Sequence, residues 1–327
     1  MAKGPLHADL VLEGGGVKGI ALVGAIQVLE EHGYRFHRVA GTSAGAIVAA
    51  MVAADMKSAN MVKVMRRVDY RKFRDSSLLD RLGPLGKAAS LVFERGIYEG
   101  KYLTTWLGEQ LAAQGVQAFG NVKLQDPEAD PGVSPDHRYR LVVMASDVSN
   151  GRLVRLPWDY DRYGCDADEV RIVDAVRASM SIPFFYEPVR LRDQATGQDA
   201  CLVDGGMLSN FPIEVFDRHD RRPRWPTFGI KLSARRDAAV GYEYQTRGLP
   251  GLTRALVGTM TSFHDRLHID DPSVIARTIF VDTMHVKATD FDLTRDSAER
   301  LYNSGRIAAE KFLETWDFDK YLAHWRP

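Results

Sequence analysis

Short apolar runs alternate with longer apolar segments of helical spacing along the first part of the chain. Residues 8–12 (ADLVL) predict a buried strand, and residues 36–40 predict a second one. Each run ends in a glycine-containing turn, and each turn leads into a predicted helix, over residues 17–31 and residues 44–54 respectively. This β-α-β-α order predicts an α/β protein, with a three-layer α/β/α fold around a mainly parallel central sheet.

The remainder of the chain continues this pattern less regularly. A strong strand is predicted at residues 139–145, with a hairpin partner at residues 151–156, and a helix follows at residues 174–180. A further helix is predicted to start at Asp296, because Glu299 three residues on resembles a capping box. The remaining predicted elements are strands at residues 201–203, 227–232 and 278–281, a helix at 252–267, short helices with a mobile flap at 69–111, and a solvated loop at 125–137.

The composition is that of an ordinary globular protein. Of 327 residues, 45% are hydrophobic and 26% are charged, which excludes extended disorder. The 43 basic residues balance 43 acidic ones, so no overall field attracts nucleic acid, and no nucleic-acid partner is expected. We interpret residues 1–327 as one domain, with a motif-bearing core at about 8–215 that residues 216–327 complete or flank.

The expected compartment is the cytoplasm. Cys165 and Cys201 are too few for a disulfide framework, which favours a reducing environment. The first residues lack a signal peptide, although export by a route that needs none is an alternative. The longest strongly apolar stretch, residues 44–54, is about half of the ~20 residues that cross a bilayer, so any membrane contact is predicted to be peripheral.

The first glycine turn has the geometry of an anion site. Residues 14–19 (GGGVKG) match G-x-G-x-x-G between a strand and a helix, the context of a dinucleotide site. Such a site also needs an acidic residue after the second strand, and that strand ends in Gly41-Thr42-Ser43 instead. The same backbone can hold any anion, including an oxyanion. Lys18 either contributes to that site or only reaches solvent.

The second glycine turn, Gly41-x-Ser43-x-Gly45, matches the nucleophile elbow, in which small neighbours allow a tight turn that projects the serine hydroxyl. A serine nucleophile needs a base. Asp204 ends a predicted buried strand and could be that base, although an aspartate before glycine is also a common structural turn. A histidine base, in the chain order Ser, Asp, His, is the alternative. The histidines after Asp204 are His219, His264, His268, His285 and His324. However, only 42 residues precede Ser43, which leaves little room for the several strands that precede the nucleophile in such hydrolases.

Together, the motifs resemble those of the patatin-like phospholipase family, of the bacterial type, over about residues 8–215. Departures from the family pattern are Glu13 and Lys18, where the family more often has aspartate and arginine. The resemblance assigns an oxyanion motif (Gly14, Gly15, Gly16, Val17, Lys18, Gly19), a nucleophile elbow (Gly41, Thr42, Ser43, Ala44, Gly45) and an aspartate motif (Asp204, Gly205, Gly206).

This resemblance implies a serine acyl hydrolase that releases fatty acids from phospholipids or other acyl-lipid esters. Ser43 would attack the ester carbonyl, and Asp204 would accept the serine proton without a histidine. The N–H groups of residues 15–17 would bind the oxyanion of the tetrahedral intermediate, which then gives an acyl-enzyme. The implied partner is an acyl lipid in a micelle or at a membrane surface, and no metal or cofactor is implied. The alternatives are a catalytically silent lipid- or protein-binding module and a Ser-Asp-His esterase.

Two other clusters carry weaker signals. His264 and His268 have the i, i+4 spacing of a zinc pair, but Asp265 stands where the metalloprotease motif has glutamate, so no metal site is expected. A basic segment with an adjacent tryptophan could contact anionic headgroups or be a solvated loop; it contains Arg218, Arg221, Arg222, Arg224 and Trp225.

Overall fold

A computed structural model describes residues 6–73, 100–124, 133–183, 185–218, 220–233, 271–288 and 290–325. Within these ranges, eight strands form one mixed sheet. The strands are β1 (Leu6–Leu12), β2 (Tyr34–Thr42), β3 (Leu141–Asp147), β4 (Arg152–Leu156), β5 (Val189–Arg192), β6 (Asp199–Asp204), β7 (Thr227–Lys231) and β8 (Thr278–Phe280).

The sheet has the order β5-β6-β3-β2-β1-β7-β8, with β4 paired to β3 outside that path. Within this order, the consecutive strands β3, β2, β1, β7 and β8 pair in parallel. Strands β4, β5 and β6 pair antiparallel to their partners. The central sheet is therefore mainly parallel, as predicted.

The helices of the described residues connect these strands or extend the chain beyond them, and none of those helices is long and apolar enough to cross a membrane. They are α1 (Gly19–Glu31), α2 (Ala44–Ala53), α3 (Ser58–Arg67), α4 (Lys101–Ala112), α5 (Ile172–Ser179), α6 (Pro272–Ile275), α7 (Arg295–Leu313) and α8 (Phe318–Trp325).

Both faces of the sheet are buried under apolar layers. Successive side chains of a strand point to opposite faces, so Leu10 and Leu12 of β1 belong to one core and Val11 to the other. Helices α1, α2, α5 and α7 contribute to the first core. Phe211, Phe216 and the α6 residue Val274 pack on the second. This layering agrees with the predicted three-layer α/β/α class.

Several predicted elements need correction. Helix α7 begins at Arg295 rather than Asp296, because the Thr294 side chain accepts the capping hydrogen bond from the Ser297 N–H. Strand β5 and helices α3, α6 and α8 were not predicted. The predicted helix at 252–267 lies outside the described residues, as do residues 74–99 of the predicted flap and 125–132 of the predicted loop.

The described end of the predicted flap is a core helix. Helix α4 buries Leu103, Leu107 and Leu111, which recur every four residues along one face. This part of the segment is therefore packed as an ordinary core helix rather than a flap.

The strand register brings the ends of β2 and β6 to either side of β3. Thr42 pairs with Met144, and the next residue of β3, Ala145, pairs with Asp204. Ser43, which follows Thr42, and Asp204 are thus two strands apart, or about 10 Å between backbones at the usual strand spacing. Their side chains can therefore approach each other across β3.

Candidate active site

Ser43 occupies a strained turn between β2 and α2. Its backbone has φ 54° and ψ −123°, a positive-φ conformation that is uncommon for a residue with a side chain. Its N–H donates to the Ser179 hydroxyl over 2.8 Å, and its own hydroxyl lies 3.4 Å from the Met180 sulfur. The turn therefore has the geometry expected of a nucleophile elbow.

The flanking glycines allow this turn to form. A Cβ at Gly41 would lie 2.3 Å from the Gly45 carbonyl oxygen, and a Cβ at Gly45 would lie 2.3 Å from the Leu12 carbonyl oxygen. Neither separation is compatible with a side chain, so the G-x-S-x-G pattern follows from the close approach of α2 to the ends of β1 and β2.

Asp204 is buried at the end of β6 and faces the serine turn. Burial raises its pKa to about 6, against an ordinary value of 3.8, while the hydrogen bond from the Gly206 N–H and the nearby Ser43 side chain act in the opposite direction. The Gly206 bond is 2.7 Å long. The result is a carboxylate that is ionised at neutral pH and more basic than an exposed aspartate.

Most N–H groups of the glycine-rich turn already have partners. Those of Gly14 and Val17 donate to the carbonyls of Asn210 and Ala288, each over 3.1 Å, and that of Lys18 donates to the Gly15 carbonyl over 3.2 Å. The Gly19 N–H donates to the Gly16 carbonyl. In the described part of the chain, the N–H groups of Gly15 and Gly16 have no acceptor.

Gly16 is fixed by a distant segment. It has φ +56°, and a Cβ there would lie 1.9 Å from the Ala288 carbonyl oxygen. This is the same oxygen that accepts the Val17 hydrogen bond. The path of the turn therefore depends on the segment that follows β8.

Charged side chains brace the turn from the β7 side. Glu13, buried at the end of β1, forms an ion pair with Lys231 and accepts a hydrogen bond from the Leu232 N–H. Lys18 donates to the Leu232 carbonyl over 3.4 Å. Burial lowers the pKa of the Lys18 ammonium, and the Glu13 carboxylate opposes this shift. Lys18 thus lies within this buried network rather than only in solvent.

An apolar cavity adjoins the serine turn. Ala44 and Ile47 of α2 line one side, and Met180, which contacts the Ser43 hydroxyl, lines another. Gly16 and Val17 of the glycine-rich turn also border it. Its other walls come from Met65, Tyr70, Phe73, Trp106, Ile182, Tyr186, Ala288 and Phe291.

Of the candidate histidine bases, His285 and His324 lie in the described part of the chain. No hydrogen bond joins a described histidine to Ser43 or Asp204, and no described cluster of His, Cys, Asp and Glu could hold a metal ion. His219, His264 and His268, three of the candidate bases, lie outside the described residues.

The sequence motifs did not identify several residues that shape this site. Asn210 accepts the Gly14 N–H through its carbonyl and donates its side-chain amide to the Gly14 carbonyl over 3.2 Å. Ser179 accepts from Ser43, and Ser181 accepts the Asp204 N–H through its carbonyl over 2.9 Å. Ser179 and Ser181 lie in a small, apolar segment that the resemblance included, but no local pattern indicated their contacts.

Comparison with known proteins places the chain in a family. The family model described as patatin-like phospholipase matches residues 10–217. The uncharacterized protein YqhO of Bacillus subtilis is 37% identical over 313 residues, which span 96% of this chain and 100% of YqhO.

Two further matches are more distant in sequence. Lysophospholipase NTE1 of Eremothecium gossypii is 25% identical over 209 residues, which cover 62% of this chain and 11% of NTE1. The crystal structure of VipD from Legionella pneumophila superposes with a TM-score of 0.53 at 19% identity, covering 95% of this chain and 67% of VipD, and so resembles it in fold. On the extent of the family match, the chain belongs to the patatin-like phospholipase family.

Proposed function

We propose that this protein is a serine acyl hydrolase that releases fatty acids from acyl-lipid esters. Membership of a phospholipase family supports lipid-ester hydrolysis in general. The observation that carries the specific proposal is the strained position of Ser43 beside the buried carboxylate of Asp204.

In this proposal Ser43 is the nucleophile and Asp204 is its base. The Asp204 carboxylate lies close enough to the Ser43 side chain to be affected by it, and with a pKa of about 6 it is ionised at neutral pH. It takes the hydroxyl proton as the serine oxygen attacks the ester carbonyl, and later returns that proton to the departing alcohol. The same carboxylate then activates the water that hydrolyses the acyl-enzyme.

The oxyanion role falls to the N–H groups of Gly15 and Gly16. Of the donors in the glycine-rich motif, those of Gly14, Val17, Lys18 and Gly19 are engaged with carbonyls. A tetrahedral oxyanion would accept hydrogen bonds from the N–H groups of Gly15 and Gly16. A fixed donor of this kind is worth roughly 10²–10³ in rate.

Lys18 and Glu13 have a positioning role in this scheme. The Lys18 ammonium donates to the Leu232 carbonyl, and Glu13 is paired with Lys231. Both side chains attach the glycine-rich turn to β7. They hold the donors in place rather than contact the reacting atoms.

The apolar cavity beside Ser43, with a volume of about 20 Å³, would take the part of the acyl chain next to the ester. Its walls are almost entirely aliphatic and aromatic, including Ile47, Phe73 and Trp106. Burial of methylene groups in such a cavity is favourable by about 0.8 kcal/mol each. We therefore propose an acyl ester presented by a micelle or membrane surface as the substrate.

A labelling experiment tests the proposal directly. We expect a fluorophosphonate probe to modify Ser43 of the wild-type protein, to fail with Ser43→Ala, and to react far more slowly with Asp204→Asn. Ser58→Ala is the matched control, because Ser58 is a buried serine that bonds Glu30 on α1. It should label at the wild-type rate.

Hydrolysis of a medium-chain chromogenic ester should follow the same order. Full activity of Asp204→Asn would overturn the Asp204 base and favour a histidine. A correctly folded wild-type protein that neither labels nor hydrolyses any acyl ester would instead indicate a catalytically silent binding module.

A further inference from the structure

A second cavity lies at the end of the sheet opposite to Ser43. It has a volume of about 190 Å³ and is bordered by Asp9 of β1, Thr227 of β7 and Tyr321 of α8. A cavity of this size exceeds by far the roughly 10–15 Å³ that one water needs. Six arginines line it: Arg38, Arg218, Arg221, Arg222, Arg224 and Arg277.

This arginine cavity is separate from the candidate active site. Asp9 precedes Gly15 by six residues along β1, which corresponds to about 20 Å at the rise of an extended strand. The two sites lie at opposite ends of β1 and β7, so a ligand in one does not touch the other.

Aspartates hold several of the arginines in fixed positions. Arg38 pairs with Asp9 over 2.6 Å. Both terminal nitrogens of Arg277 bond the two carboxylate oxygens of Asp217, each over 2.6 Å. Asp220 pairs with both Arg218 and Arg221. Asp9, Asp217 and Asp220 thus hold four of the lining arginines, namely Arg38, Arg277, Arg218 and Arg221.

Aromatic rings add to this fixation. The Arg38 guanidinium lies 4.7 Å from the centre of the Phe216 ring, and that of Arg224 lies 5.3 Å from the Trp225 ring. Cation–π contacts orient a guanidinium without neutralising its charge. Arg38 and Arg224 are thus oriented before any ligand arrives.

Two buried polar groups at this cavity lack partners. Arg277 Nε and the Tyr321 hydroxyl are both buried and have no hydrogen-bond partner among the described residues. Both side chains line the cavity. A buried donor without a partner is costly, and such groups in native proteins commonly have a ligand, ion or water to satisfy them.

We propose that the arginine cavity binds a phosphate-bearing anion, a function that is independent of acyl hydrolysis. The planar guanidinium fork matches the oxygens of a phosphate, and six such groups border the cavity. The bound phosphate would accept hydrogen bonds from the arginines and, after small side-chain shifts, from Arg277 Nε and the Tyr321 hydroxyl. The source is either a free phosphate compound or the headgroup of a phosphate-bearing lipid.

Titration with inorganic phosphate tests this site without any substrate. At constant ionic strength, phosphate should raise the melting temperature of the wild-type protein, whereas chloride should not. In Arg222→Gln/Arg224→Gln we expect at least tenfold weaker phosphate binding by calorimetry. The matched control is Arg190→Gln/Arg192→Gln, which removes the same charge from exposed positions of β5 and should bind phosphate as the wild type does.

Tyr321→Phe provides a second, more specific test. Removal of an unpartnered buried hydroxyl should leave the melting temperature without phosphate unchanged or slightly higher. Phosphate affinity should nevertheless fall about tenfold, because the bound anion loses one donor. A purely structural tyrosine would show the opposite pattern, with a lower melting temperature and unchanged phosphate affinity.

Vesicle binding distinguishes the two sources. Sedimentation with phosphatidylcholine vesicles that contain phosphatidic acid, but not with vesicles that contain phosphatidylserine, would identify a lipid headgroup; phosphate binding without vesicle binding would identify a free compound. The proposal is overturned if neither phosphate nor phosphatidic acid binds, or if Arg222→Gln/Arg224→Gln binds both as well as the β5 control does.

Discussion

The backbone N–H of Ser43 donates to the hydroxyl of Ser179, which lies 136 residues further along the chain, over 2.8 Å. This bond connects the strained turn to the end of α5. Met180, the next residue, contacts the Ser43 hydroxyl. Helix α5 therefore fixes both the backbone and the side chain of the proposed nucleophile.

Ser179→Ala should lower activity through the position of Ser43. The variant leaves the buried Ser43 N–H without an acceptor, which costs about 1–3 kcal/mol. We expect kcat for a soluble ester to fall about tenfold or more with little change in KM. The measurement is steady-state kinetics of Ser179→Ala beside the Ser58→Ala control. A change confined to the melting temperature would contradict this role.

The pH profile of hydrolysis should report Asp204. Because its pKa is raised to about 6, kcat/KM should be flat above pH 7 and fall tenfold per pH unit well below pH 6. A soluble ester measured from pH 4.5 to 9 gives this profile. If a histidine instead caused the fall in kcat/KM at acidic pH, treatment with diethyl pyrocarbonate would abolish activity. We expect the activity and its acidic fall to be unchanged by that treatment.

Asp204→Asn should stabilise the protein at neutral and alkaline pH. A folded-state pKa above the ordinary 3.8 means that the folded protein binds the proton more tightly than the unfolded chain, so stability is lost as the pH rises from about 4 through about 6. A shift of this size corresponds to roughly 3 kcal/mol. The asparagine carbonyl can still accept the Gly206 N–H.

Thermal melts at two pH values check this prediction. The melting temperature of Asp204→Asn should exceed that of the wild type at pH 8 by several degrees, and the difference should shrink at pH 4.5, where the wild-type carboxyl is protonated. Equal melting temperatures at pH 8 would argue against a desolvated carboxylate at this position.

Gly16→Ala should abolish most activity. The new Cβ would lie 1.9 Å from the Ala288 carbonyl oxygen, so the turn must move and its donors with it. We expect a loss of roughly 10²–10³ in kcat, the value of an oxyanion donor. Ester hydrolysis by the folded variant, with circular dichroism as the check on folding, provides the measurement.

Gly33→Ala is the matched control for that substitution. Gly33 also has a positive φ, +88°, but nothing lies within 4 Å of its Cβ position. The strain alone should cost about 1–2 kcal/mol of stability and leave kcat unchanged. Equal losses of activity in the two variants would indicate a general effect of strain.

Local pattern predicted the strands and turns that carry the site. The apolar run of β1, its glycine-rich turn and the G-x-S-x-G turn after β2 are all readable within a few residues. The pairing of Thr42 and Asp204 with neighbouring residues of β3 follows from the register of the sheet, which sequence order suggested but could not fix. The placement of the motif residues in turns after buried strands was therefore predictable, and the distances between them were not.

Long-range contacts account for what the sequence did not predict. Asn210 bonds Gly14 across 196 positions, and Lys231 pairs with Glu13 across 218. Neither contact leaves a periodic or spaced signal. The start of α7 was misplaced because the hydroxyl of Thr294 caps the helix, while Asp296 lies within the first turn and pairs with Arg300.

The bracing of the glycine-rich turn has a practical consequence for anyone who shortens this protein. Lys231, Leu232 and Ala288 hold the turn, yet all three lie after residue 217, where the family match ends. A fragment trimmed to that boundary would retain the serine and the aspartate while losing the contacts that hold the proposed oxyanion donors. Truncation at the homology border should thus yield an inert polypeptide, and boundaries for expression are better chosen from contacts than from alignment.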